Sequence, residues 1–193
     1  MTDLTERRGL ETEVYNPAED SRLLAEAAIE RLESHDPGLV LEVGTGSGYV
    51  ADHLASELGV RVVGSDVNPH ACRRTHDRGI PVVRANLLDP FETDVAAAVV
   101  FNPPYLPTDP EHERDDWMER ALSGGESGLA VIQPFLDDVG RVLRPDGVVL
   151  LLVSTLTGVE EVVELAGENG FSAIAVADHS FPFETLTVLE LRR

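Results

Sequence analysis

Short apolar-rich runs alternating with stretches of helical periodicity constrain this chain more than any other feature. Leu39–Val43, Arg61–Asp66, Pro81–Ala85, Ala96–Phe101 and Val148–Val153 are each five or six residues long and lack strict apolar–polar alternation. Runs of that kind are strands covered on both faces. Glu19–Glu33, Val50–Leu58, Pro69–Arg78, Leu129–Leu143 and Val159–Glu168 instead repeat apolar residues at helical spacing. Asn68 reads as an N-cap ahead of Pro69, and Gly79 and Asn169-Gly170 as helix stops. Pro134 either kinks its helix or marks its start, and Arg144–Gly147 reads as a turn. Leu106–Ser127 is a long polar loop, a type that is usually functional or disordered. Phe171–Ala177 and Thr185–Leu191 are two closing strands with no helix-sized segment between them, so they pair antiparallel. The fold class is α/β: one mostly parallel sheet with helices on both faces and ligands bound at the carboxyl ends of its strands.

At 193 residues the chain suits a single domain. Met1–Leu10 is expected to be flexible, and residues 11–193 to form the folded unit. The net charge is −20, and all 15 basic side chains are arginines. Self-repulsion of that size is screened at high salt, so the composition points to a halophilic, salt-rich cytoplasm. It disfavours direct nucleic-acid binding, which needs a basic footprint. Cys72 is the lone cysteine, which excludes an internal disulfide and a cysteine-rich zinc site. His70, His76, His112 and His179 form no cluster at ligand spacing, so no metal is expected. No leader-like or membrane-length apolar run is present, and the expected location is cytoplasmic.

Four motifs carry chemistry. Glu42-Val43-Gly44-Thr45-Gly46-Ser47-Gly48 links the first strand to a helix. Its glycines permit a tight turn and close approach to a ligand. The spacing is not that of the dinucleotide fingerprint, and a phosphate loop would need a lysine. Glu42 beside the loop also repels phosphate. Asp66, about twenty residues further on, ends the second strand, where a carboxylate can accept hydrogen bonds from vicinal ribose hydroxyls. Asn86-Leu87 after the third strand offers an amide and an apolar face to an adenine. Asn102-Pro103-Pro104-Tyr105 follows the fourth strand. The Asn102 side-chain oxygen and the Pro103 carbonyl, directed by Pro104, make an acceptor pair for one planar amino group, and Tyr105 offers a flat face. Asn102 to Tyr105 are therefore the candidate catalytic residues.

These motifs together resemble a class I S-adenosylmethionine-dependent methyltransferase of the amino-methylating kind, with a Rossmann-like seven-stranded sheet. Val14-Tyr15-Asn16-Pro17-Ala18-Glu19-Asp20-Ser21 narrows this. It resembles the entry segment of the short HemK-like protein-glutamine methyltransferases of archaea and eukaryotes. The resemblance spans essentially the whole chain. It implies N5-methylation of the glutamine in the Gly-Gly-Gln motif of the class 1 peptide chain release factor. It also implies S-adenosyl-L-methionine held by Ser21, Glu42, Gly44, Gly46, Gly48, Asp66, Asn86 and Leu87, and a substrate amide held by Asn102 to Tyr105. The implied partner is a small zinc-binding activator protein, making the chain the catalytic subunit of a heterodimer. In such a sheet the strand at Pro81–Ala85 lies at an open edge and would pair with it. Two departures are visible. Asn86 replaces the family's Asp, and the family's Gly-Gly-x-Asp/Asn-Gly appears as Gly124-Gly125-Glu126-Ser127-Gly128.

Other readings compete with this one. Asn-Pro-Pro-Tyr is shared with adenine-N6 methyltransferases of RNA and DNA, which would want a basic strip where this chain has only scattered arginines. Protein-lysine methylation is a further alternative. A non-enzymatic scaffold would show a damaged glycine loop or tetrapeptide, and both are intact. Glu19 and Asp20 read as helix N-terminal carboxylates that complement the helix dipole. Trp117 and Met118 either pack a protein substrate or anchor their loop.

Overall fold

The structure, a computed structural model, describes residues 14, 19–33, 38–108 and 117–193. In chain order the elements are α1 (Glu19–Leu32), β1 (Leu39–Val43), α2 (Tyr49–Leu58), β2 (Arg61–Asp66), α3 (Pro69–Asp77), β3 (Val82–Arg84) and β4 (Ala96–Phe101). These are followed by α4 (Trp117–Leu122), α5 (Ile132–Val142), β5 (Leu143–Ser154), α6 (Val159–Glu168), β6 (Ser172–Ser180) and β7 (Thr185–Arg192). Seven strands form one sheet in the order β3-β2-β1-β4-β5-β7-β6. Neighbours from β3 to β5 are parallel, and β7 is antiparallel to both β5 and β6.

The continuous apolar runs are explained by two cores, one on each face. Leu41, Val43, Val99, Phe101, Val149, Leu151 and Val153 pack against α5 and α6. Their neighbours Val40, Ala98, Val100, Val148, Leu150 and Leu152 pack against α1 and α2. Each strand residue thus serves one face or the other, as the pleat requires. Helix α3 starts as its sequence predicts: the Asn68 side chain accepts from the His70 N–H at 2.9 Å, with Pro69 at the first position.

Three local readings need correction. The 106–127 segment is not loop throughout, because it contains the short helix α4. Helix α5 begins at Ile132, and Pro134 lies in its first turn, where no intrahelical N–H is needed. Arg144–Gly147 is not a free turn but an insertion within β5. Ala96 pairs with Leu143 and Ala98 already with Val148, so four residues bulge out of the ladder. The closing strands pair antiparallel as expected, but β7 inserts between β5 and β6.

Helix α1 is tied to β7 by charge. Glu190, buried on the α1 face, accepts from Arg31 Nε and Arg192 Nε, both at 2.6 Å. Burial pushes the Glu190 pKa up, but the two arginines more than offset this and hold it below the usual carboxylate range. This contribution to stability is present above the unfolded pKa and is lost as pH falls through the folded one. Glu190→Gln is expected to destabilise the fold by about 1 kcal/mol at neutral pH, since both arginines are partly solvated. The gap to wild type should close on acidification below about pH 4; thermal melts across pH check both.

Candidate functional site

The carboxyl ends of β1, β2 and β4 open into a cavity of about 230 Å³. The apolar strand interiors stop there and the motif residues begin, so the sheet itself gathers them. Ser21, Glu42, Gly44, Gly46, Asp66, Asn86, Leu87 and Asn102 to Tyr105 all line it, with Val14 and Asp20. Gly48 does not. It sits at the N-terminus of α2 with φ of 74°, where an added Cβ would lie 2.9 Å from Thr75 Oγ1. Its part is to let α2 approach α3. Tyr15 to Ala18 of the entry segment lie outside the described residues.

Left-handed backbone at Gly44, Gly46 and Gly48 folds the glycine loop. The loop is held from behind: Thr45 N–H donates to Ser65 O at 3.0 Å, and Arg78 Nε donates to Ser47 O at 2.8 Å. Arg78 also pairs with Asp52 of α2 at 2.9 Å.

Three carboxyls line the cavity, those of Asp66, Glu42 and Asp20. Asp66 accepts the Gly46 N–H at 2.9 Å on one oxygen and the Asn68 N–H at 2.8 Å on the other. Burial raises its pKa, and these backbone donors oppose the rise. A carboxylate has about four acceptor sites, so capacity remains for a ligand hydroxyl. Glu42 is more deeply placed, bonded by the Thr45 hydroxyl and by the Ala51 N–H at 3.2 Å. Burial pushes its pKa up to about 8; Thr45 and Ala51 oppose this and Asp66 adds to it. Such a pair suits a ligand carrying positive charge, which favours the ionised form of Glu42, and vicinal hydroxyls, which Asp66 can accept. Leu87 takes φ of 47°, a rare conformation for a leucine, while Ser65 Oγ donates to its carbonyl at 3.1 Å.

The tetrapeptide is the most constrained part. Asn102 Nδ2 donates to Asp20 Oδ2 at 3.2 Å, while Asn102 Oδ1 is buried without a hydrogen-bond partner. Asp20 can only accept when ionised, so it fixes which end of the amide faces it. The sequence reading of Asp20 as a carboxylate in the first turn of its helix holds, and the bond to Asn102 adds a contact which that reading lacked. The other oxygen of Asp20 bonds the Ser21 N–H at 2.6 Å, and its second function is to orient Asn102. The Glu-Asp-Ser run was the only signal for this, and the partner is 82 residues away. Beyond the tetrapeptide, Thr157 Oγ1 donates to Tyr105 O at 2.9 Å. The Gly124–Gly128 turn backs the same stretch. Leu106 N–H bonds Leu122 O and Gly124 N–H bonds Leu106 O, and a Cβ on Gly128 would fall 2.9 Å from Tyr105 O. Trp117 lines the cavity with the Arg120 guanidinium 5.3 Å from its ring centre. Neither the Thr157 contact nor the lining role of Arg120 has a sequence signature. Among the described residues no group of three His, Cys, Asp or Glu could hold a metal ion.

A buried lone acceptor, two acidic walls and a flat apolar face fit a cationic nucleoside cofactor such as S-adenosylmethionine. The comparisons agree on the class. A ribosomal protein L11 methylase from Lactobacillus delbrueckii subsp. bulgaricus shares the fold at TM-score 0.66 and 17% identity, over 92% of this chain and 81% of that one. The Mtq2–Trm112 complex of E. cuniculi, responsible for methylating the eRF1 translation termination factor, is much nearer. It matches at TM-score 0.78 and 30% identity, over 94% of this chain and 99% of that one. The chain has the class I S-adenosylmethionine-dependent methyltransferase fold. No family model matches it. Among curated proteins, a putative protein N5-glutamine methyltransferase of Methanocaldococcus jannaschii is 32% identical over 95% of this chain and 94% of its own length. Human methyltransferase HEMK2 is 31% identical over 96% and 92%. The chain belongs to this HemK-like protein-glutamine methyltransferase family.

Because Glu42 gains its proton affinity by burial, the ligand-free fold binds more protons than the unfolded chain between about pH 4.5 and 8. The Glu42 contribution is complete below that window and is lost as pH rises through it. Thermal melts without ligand should therefore fall across this range. The isosteric Glu42→Gln should flatten the decline.

Proposed function

We propose that this chain transfers a methyl group from S-adenosylmethionine to N5 of the glutamine in the Gly-Gly-Gln motif of the class 1 release factor, acting in the cytoplasm. The observation that carries this is the buried, unpartnered Oδ1 of Asn102, held in place through Asp20. An unpaired buried acceptor costs roughly 1–3 kcal/mol, and a substrate amide N–H relieves it.

When bound, the cofactor supplies an already activated sulfonium methyl. A primary amide is a poor nucleophile because its nitrogen lone pair is delocalised into the carbonyl. The chain's task is alignment and charge stabilisation. Asn102 Oδ1 and the Pro103 carbonyl would hold the amide N–H groups, leaving the nitrogen lone pair aimed at the methyl. The same fixed dipoles stabilise positive charge growing on nitrogen. Pro104 restricts Pro103, and Tyr105 packs on the amide plane. Asp66 would bind the ribose hydroxyls, Asn86 and Leu87 the adenine, and Glu42, with Ser21 and the glycine loop, the cationic amino-acid end. No strong base is required, because the amide nitrogen becomes acidic once methylated and its extra proton passes to water.

The partner of the E. cuniculi protein supports a heterodimer here too. The proposed docking site for a small zinc-binding activator is β3, the sheet edge, where Val82 and Val83 are only half-buried. Arg73, Arg74 and Arg84 are exposed nearby and favour an acidic partner. Co-expression should give a complex that a charged substitution at Val83 abolishes. Equal activity and monodispersity of the chain alone would overturn an obligate pairing.

The deciding assay is tritium transfer from S-adenosylmethionine at high salt into purified release factor, compared with tRNA and DNA. Label in nucleic acid and not in the factor would overturn the reading. Asn102→Ala should lower turnover at least a hundredfold, about 3 kcal/mol, while cofactor affinity holds. Asp20→Ala should lower kcat less severely, and Asp20→Asn, which keeps an acceptor for Asn102, should restore much of it.

A further inference from the structure

We propose that Phe183, at the tip of the β6–β7 hairpin, and Leu156, in the loop after β5, form a docking rim for a basic segment of the protein substrate that carries an apolar side chain and flanks the methylated glutamine. The proposal rests on the function given above and extends it to the substrate's flanking chain.

Phe183 is 93% exposed and Leu156 44%. Scattered apolar surface residues are ordinary, but these two sit in a fixed framework beside the site. Thr155 N–H donates to Thr185 O and Thr185 N–H to Thr155 Oγ1, both at 3.0 Å. Ser154 Oγ donates to Glu184 Oε2 at 2.9 Å, and Phe181 N–H to Glu184 O at 2.7 Å. Behind the tip, Phe181 packs on His179 with ring centres 4.6 Å apart. The Thr157 bond to the Tyr105 carbonyl joins this framework to the tetrapeptide.

Strand order gives the distance. Asn102 follows β4, Leu156 follows β5, and Phe183 lies between the ends of β6 and β7. With strands about 4.8 Å apart, Phe183 lies about 10–14 Å sideways from the end of β4. An extended peptide covers that in three or four residues at about 3.3 Å each. A glutamine in the cavity therefore brings residues three or four positions away over Leu156 and onto Phe183. A rigid exposed aromatic is a low-entropy anchor for such a contact. Charge selects the segment: Asp178 and Glu184 flank the hairpin tip, and the exposed Glu160 and Glu161 open α6 just after Leu156. A basic flanking sequence complements that surface.

The test compares full-length release factor with a pentapeptide centred on Gly-Gly-Gln, using the active form of the enzyme, complexed or alone. The Phe183→Ala/Leu156→Ala double variant should raise KM for the factor at least tenfold. Its kcat, cofactor affinity and KM for the pentapeptide should stay within twofold of wild type, and Phe183→Tyr should behave as wild type. An unchanged KM for the factor overturns the rim, as does an equal loss on both substrates. Wild-type protein inert towards both overturns the glutamine-methylation reading itself, and the rim with it.

Discussion

The site depends on one hydrogen bond, from the Asn102 amide to Asp20. A side-chain amide presents a donor face and an acceptor face of nearly equal shape, and only its surroundings decide which points where. Asp20 takes the donor end and leaves a bare oxygen in the cavity. That demand explains why α1 must be anchored at both ends. Its first turn carries Asp20, and its last turn carries Arg31, which grips Glu190 on β7. Eleven residues of helix, about 16 Å, join the two contacts. The placement of the Asn102 amide is thus referred to β7, two strands away from β4 in the sheet.

A second theme is that the cavity keeps acidic groups where burial disfavours their charge. Glu42 and Asp66 both have raised proton affinity, each restrained by backbone N–H donors. A ligand bringing positive charge reverses that balance and is discriminated from neutral nucleosides by the same physics. The glycine loop contributes shape rather than charge, and Arg78 stiffens it from outside.

Much of this was legible in the sequence because the information is local. A strand covered on both faces reads as an apolar-rich run, so Leu39–Val43 and Ala96–Phe101 show their ends directly, while the exposed Arg61 and the cavity residue Asp66 mark the two ends of β2. Motifs at the carboxyl ends of successive parallel strands converge by topology, and so the glycine loop, Asp66, Asn86-Leu87 and the tetrapeptide meet. What stayed hidden is non-local. Asp20 looks like a helix-start carboxylate until its partner is seen, and Thr157 looks like any loop threonine. The insertion of β7 between β5 and β6 leaves no periodic trace, and Arg144–Gly147 has turn composition even though the strand continues around it. Gly48 has the same composition signal as Gly44 and Gly46, yet it serves helix packing.

The position of β7 also bears on synthesis. Among the described elements, β6 has no neighbour in the sheet except β7, and β7 follows it in the chain. Until residues up to Leu191 have left the ribosome, β5 ends the sheet with an open ladder from Val149 to Ser154, and β6 has nothing to pair with. An unpaired apolar strand edge is the feature that recruits wrong partners. Before β7 has emerged and paired, the growing chain therefore carries an open apolar edge along β5. Closing the fold and raising the hairpin beside the site are one event, because the pairing of β7 covers the β5 edge and gives β6 its partner at once.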